Sequence, residues 1–183
     1  MKHVFRLTIG ALGLPMALAA QQPAPAADTH PLITAAQSLV DRYGRNITAA
    51  ATTMPADKYG FKPTPAQMTF GQTIAHVIDS NNLFCAHVAS LPEPTEKAPA
   101  ATAPKEELVA ALQKSFQYCH DALAKVDESK LGDEVPFFGQ RKASRAMLLL
   151  AVTGDLFDHY GAMAIYMRLN GLLPPTAQPR PAM

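Results

Sequence analysis

AMLLLAVTGDLFDHYGAMAIYMRL, residues Ala146–Leu169, is the most apolar long stretch of the chain, yet Asp155 and His159 stand near its middle. Read as one helix, residues three and four apart share a face, so Leu148, Ala151, Val152, Ala162, Met163 and Tyr166 line up with that pair. A carboxylate and an imidazole therefore sit within an apolar stripe. Burying an ionised carboxylate without a partner costs on the order of several kcal/mol, so Asp155 calls for a metal ion, an arginine or a protonated histidine. A spacing of four residues lets two helical side chains converge on one ion, which makes a metal the most economical partner. The rival reading is a hydrogen-bonded pair, tied to Arg145 or Arg168, that only fixes helix register.

Ser144 caps this segment, and Asn170-Gly171 followed by Pro174-Pro175 stops it. Three further helices are expected upstream. The first opens at Pro31, carries Leu32, Ala36, Leu39, Val40, Tyr43 and Ile47 at helical spacing, and ends before Pro55. A proline-rich connection with Tyr59 and Phe61 follows, aromatic enough to pack on a helix. Thr69 and Gln72 form a capping-box pattern ahead of Phe70, Ile74, Val77, Ile78, Phe84 and Val88. Pro104, Glu106 and Glu107 open the third helix in agreement with the helix dipole, and Leu108, Leu112, Phe116, Cys119 and Leu123 line it. Apart from a brief run at Val135–Phe138, strand signals are nearly absent, so the expectation is an all-α four-helix bundle.

At the other end of the chain, Met1–Arg6 is basic, Leu7–Leu18 is apolar, and Ala17-Leu18-Ala19 has the small-x-small pattern read by signal peptidase. Residues 1–20 are read as a secretory signal and 21–30 as a disordered Pro/Ala-rich leader. Residues 31–176 form the domain and 177–183 a flexible tail. The mature protein is expected in the periplasm or secreted, with no membrane attachment once the signal is removed, since no later window reaches the ~18–20 apolar residues of a span. About 155 residues then remain, enough for one domain with a core. A formal net charge of +1 with scattered basic residues disfavours nucleic acid as a partner. No phosphate-binding glycine loop and no Gly-x-Ser-x-Gly elbow appear.

Cys85 and Cys119 are the two cysteines of the chain and lie on neighbouring expected helices, so an exported protein would join them in a disulfide. A zinc site from Cys85, His87, Cys119 and His120 is the rival, without a Cys-x-x-Cys framework behind it. His30 and His120 read as surface or cap residues, and Asp158 as a polar edge beside Asp155. For a third ligand facing Asp155 and His159, His76 is the best candidate; it shares a line with Thr73, Ser80 and His87 that flanks the apolar stripe. Periodicity alone allows it to face solvent as readily as a pocket.

Phe61-Lys62-Pro63-Thr64-Pro65, Phe70-Gly71-Gln72-x-x-Ala75-His76, His159-Tyr160-Gly161, Tyr166-Met167-Arg168-Leu169-Asn170-Gly171 and the closing Pro174-Pro175 resemble, in that order and over nearly the whole mature chain, the DinB-like family. The resemblance implies a four-helix bundle in which one histidine of the second helix and two of the last, four residues apart, hold a divalent ion. Carried onto this chain, those ligands fall on His76, Asp155 and His159, with Asp155 standing where the family usually has histidine. Two histidines and a carboxylate suit a divalent ion such as Zn, Ni, Fe or Mn and leave positions open. The resemblance implies a metal-dependent thiol transferase or hydrolase acting on a small molecule. The alternative is a non-catalytic bundle that binds a small ligand or partner, with His76, Asp155 and His159 structural. An apolar helix face leaves room for a homodimer, and no residue is assigned as general base or acid.

Overall fold

Thr69 and Gln72 exchange reciprocal hydrogen bonds in a complete capping box, and the Ser144 hydroxyl accepts from the Met147 amide, so two helix starts fall at the caps expected of them. The computed structural model describes residues 28–139 and 141–179. It contains helices α1 (Pro31–Thr53), α2 (Phe70–Ala89), α3 (Lys105–Leu123) and α4 (Arg145–Leu169), with a small hairpin of β1 (Glu134–Pro136) and β2 (Lys142–Ser144) before α4. The signal-peptide reading and most of the leader lie outside the described residues. Proline leads α1, and its free amides are met from far along the chain: Glu128 accepts from the amides of Leu32 and Ile33 at 3.3 Å each.

Cross-helix contacts fix the directions. Asn81 reaches Ser115 at 3.1 Å, and Cys85 is bonded to Cys119 with Cα atoms 5.1 Å apart; both partners advance together, so α2 and α3 are parallel. Tyr166 of α4 donates to the Met68 carbonyl before α2, while Arg145 at the start of α4 donates to Val88 at the end of α2, so these two run antiparallel. Lys105 and His120 of α3 meet Met54 and Asp41 around α1 in the reverse order, making that pair antiparallel too. The bundle is thus up-down-down-up, with α2 packed between α3 and α4.

Parallel neighbours need a connection that travels the length of the bundle. Residues 90–104 supply it by returning along α2: Glu93 lies against His87, Ala98 donates to Asp79, and the Ala101 carbonyl rests on Gly71. A Cβ on residue 71 would run into that carbonyl oxygen, so the close approach requires glycine.

Two sequence expectations need correction. The strand signal at Val135–Phe138 marks only half of a hairpin, because β1 stops at Pro136 and pairs with the polar Lys142–Ser144. Leu32 faces solvent and Ile33 takes the inward place, since the buried line of α1 runs through Ile33, Ala36, Val40, Gly44 and Ile47. The stripe expected on α4 does face inward, with Leu148, Val152, Met163 and Tyr166 buried, and a second apolar line of Met147, Leu150, Phe157, Ile165 and Leu169 is exposed on the opposite side. Among the described residues no helix is long and apolar enough to cross a membrane.

Candidate metal centre

Because α2 and α4 run antiparallel at close quarters, His76 from the one meets Asp155 and His159 from the other. Asp155 Oδ1 lies 3.4 Å from His76 Nε2 and 3.3 Å from His159 Nε2. The two imidazole rings are 4.5 Å apart, edge to face. His159 is buried, Asp155 half-buried, and the His76 side chain 44% exposed, so the cluster opens to solvent on the α2 side. All three sequence candidates therefore converge.

The contacts are long for hydrogen bonds, which for N–H···O centre near ~2.9–3.0 Å. They match the roughly 3.0–3.4 Å between adjacent donors around an ion with bonds of ~2.1 Å. One donor atom from each residue lies within 4.8 Å of the others. Asp155 Oδ2 is buried and has no hydrogen-bond partner. A half-satisfied buried carboxylate flanked by two imidazoles suits a divalent cation, so the donor set fits the ion that the resemblance implies.

In the ion-free protein the three groups pair with one another electrostatically. Burial alone would raise the Asp155 pKa, but hydrogen bonds from His159 and His76, with their charges, outweigh it and hold the carboxyl down at about 2. The His76 pKa is raised, chiefly by its bond to Asp155, against the effect of burial and with help from the charges of Asp155, Asp79 and Asp158. Asp158 thus acts at a distance, as an exposed polar edge.

Neither arginine of the rival reading approaches Asp155. Arg145 caps α2 through the Val88 carbonyl and the Ser90 hydroxyl, at 2.6 and 2.8 Å, and Arg168 donates to Ala164 on its own helix. Tyr160 points the other way, toward α1, where its hydroxyl bonds Thr176 and ties the C-terminal turn to the bundle. The cysteine-histidine zinc alternative is overturned: Cys85 and Cys119 form the disulfide, His87 pairs with Glu93, and His120 with Asp41. Sequence reasoning had no role for Ser80, whose hydroxyl lies 3.2 Å from His76 Nε2. Its only signal was the spacing of four from His76, the same spacing that separates Asp155 from His159.

Up-down-down-up connectivity defines an all-α four-helix bundle, and the seam between α2 and α4 carries a His/Asp/His group that could hold a metal ion. The chain belongs to the DinB superfamily, whose family model matches residues 39–163. It resembles the crystal structure of YjoA, a DinB-like protein of Bacillus subtilis, with a TM-score of 0.63 and 22% identity over 80% of this chain and 99% of that one. A DinB-like protein of Bacillus cereus gives a TM-score of 0.66 with 18% identity, covering 78% and 95%. A conserved protein of Enterococcus faecalis gives 0.59 with 19% identity, covering 74% and 95%. At these identities the likeness establishes the fold. No curated protein matches the sequence.

Proposed function

We propose that His76, Asp155 and His159 hold one divalent ion, and that the protein is an exported metal-dependent enzyme acting on a small molecule by thiol transfer or hydrolysis. The observation that carries this is the buried, partnerless Oδ2 of Asp155 between two imidazoles at ligand spacing. When bound, the ion supplies a Lewis acid that polarises an electrophile and acidifies a thiol or water at its open positions. Asp155 contributes the one formal negative charge of the donor set and orients His159 and His76. The exposed edge of His76 leaves the approach for a substrate on the α2 side. The Cys85–Cys119 disulfide supports an oxidising compartment, periplasmic or extracellular.

Isothermal titration of EDTA-stripped protein with Zn, Ni and Mn salts tests the assignment. One-site binding with proton release is expected, because the imidazoles must be neutral to ligate. Binding undiminished in His159→Ala would remove the assignment.

The exposed apolar line on α4 favours a second reading, a non-catalytic bundle that docks a partner through Met147, Leu150, Phe157, Ile165 and Leu169. In that case the His-Asp-His cluster is a register lock, and His159→Ala lowers stability without altering any turnover. A second copy of the chain is one such partner, which sedimentation of the Phe157→Lys variant against wild type would reveal.

A further inference from the structure

We infer that Ser80 is a fourth donor of this metal centre, which makes the site an oxygen-and-nitrogen set built from two pairs of residues spaced by four, His76 and Ser80 on α2 facing Asp155 and His159 on α4. The inference rests on the metal reading of the other three residues and goes beyond it.

Ser80 behaves unlike the other buried helical hydroxyls. Thr73 donates to the Thr69 carbonyl at 3.1 Å, Ser115 to Leu112 at 2.8 Å, and Thr153 to Leu149 and Leu150 at 3.3 and 3.0 Å. Each returns its hydroxyl to its own backbone, the usual habit of serine and threonine inside a helix. Ser80 is buried as well, yet its oxygen turns to the His76 ring, 3.2 Å from Nε2, and has no backbone partner.

The spacing of that contact belongs to the same series as the others. From Ser80 Oγ to His76 Nε2, on to Asp155 Oδ1 and to His159 Nε2, the steps are 3.2, 3.4 and 3.3 Å. Each is a separation expected between adjacent donors on one ion. An ion on Nε2 takes the lone pair that a serine hydroxyl would otherwise engage. The buried hydroxyl is then left without its partner, an unfavourable state unless a new one replaces it. An ion held there would offer that new partner, and the serine oxygen lone pairs would suit it. A neutral oxygen donor adds no charge and hardens the set, favouring Zn, Fe or Mn over soft ions such as Cu(I).

Cobalt absorption spectroscopy on the EDTA-stripped protein tests this, with Co(II) as the probe. Wild type should give the visible bands of bound Co(II), and Ser80→Thr, which keeps the hydroxyl, should retain its affinity. Ser80→Ala should bind Co(II) more weakly by about tenfold or more. Ser80→Cys should add a thiolate-to-cobalt charge-transfer band in the near ultraviolet that wild type lacks. Unchanged affinity in Ser80→Ala, or a Ser80→Cys protein that binds Co(II) without the new band, would overturn the inference while leaving the other ligands in place. Should Ser80→Ala fail to fold, the Ser80→Cys spectrum decides alone. Failure of wild type to bind Co(II) would instead defeat the underlying metal reading, and this inference with it.

Discussion

Helix α2 has two seams of opposite character. Against α3 it is locked by a covalent bond between Cys85 and Cys119 and by Asn81 on Ser115; against α4 it meets Asp155 and His159 through His76 alone among its charged or titratable groups. Each seam contains a buried acceptor with no partner, Asn81 Oδ1 on one side and Asp155 Oδ2 on the other. An unpartnered neutral amide oxygen costs about 1–3 kcal/mol, which a covalently clamped core absorbs. A carboxylate in the same condition costs more and attracts a cation. The α3 side holds α2 in place, and the α4 side sets His76 against Asp155 and His159 at fixed spacing.

If the seams divide the work in this way, breaking the first should damage stability and spare ligation. Replacing Cys85 and Cys119 together by serine removes a cross-link across 34 residues and should destabilise the fold by about 3–4 kcal/mol in urea unfolding. Metal stoichiometry of the folded fraction should not change. The same side predicts that Gly71→Ala, which drives a Cβ into the Ala101 carbonyl, costs about 2 kcal/mol. A shift of less than half that amount would mean that the 90–104 connection yields easily.

The second seam should reveal itself through pH. The folded pKa of Asp155 is depressed to about 2 from 3.8, so its contribution to the ion-free protein is present above the unfolded value and lost as pH falls through about 2. The depression corresponds to on the order of 2 kcal/mol, and Asp155→Asn should flatten that part of the stability profile. His76 has the opposite sign: its raised pKa stabilises the ion-free protein below the ordinary value of 6.5, and this contribution fades as pH rises through the folded value. With the ring substantially exposed, the His76 effect should be much smaller than that of Asp155. Smallest of all, Lys114→Ala breaks an exposed pair with Glu96 and should leave the urea midpoint unchanged.

Much of this architecture is legible in the amino-acid sequence. Pro31, the Thr69/Gln72 box, Pro104 and Ser144 are local signals, and they mark all four helix starts because capping depends on a few neighbouring residues. Connectivity is not legible, since nothing local tells α2 to lie parallel to α3. The second strand, Lys142–Ser144, is too short and polar to signal itself. Asp155 and His159 stand out as polar groups inside an apolar helix, whereas His76 lies on a flank that periodicity leaves ambiguous until α4 is placed beside it. Ser80 is invisible as a donor because a helical serine ordinarily bonds its own backbone, and only side-chain geometry shows that this one does not. Arg145 is a candidate partner for Asp155 on chain proximity, but the antiparallel arrangement sends it to the end of α2.

Whether the α2/α4 seam holds an ion is tested most directly by metal content, measured by plasma mass spectrometry on mature protein purified without a histidine tag, beside Asp155→Ala and His159→Ala. Close to one divalent ion per wild-type chain and background levels in both variants are the predicted result. A folded wild-type protein without metal that takes up none on reconstitution, or variants that keep the ion, would contradict it.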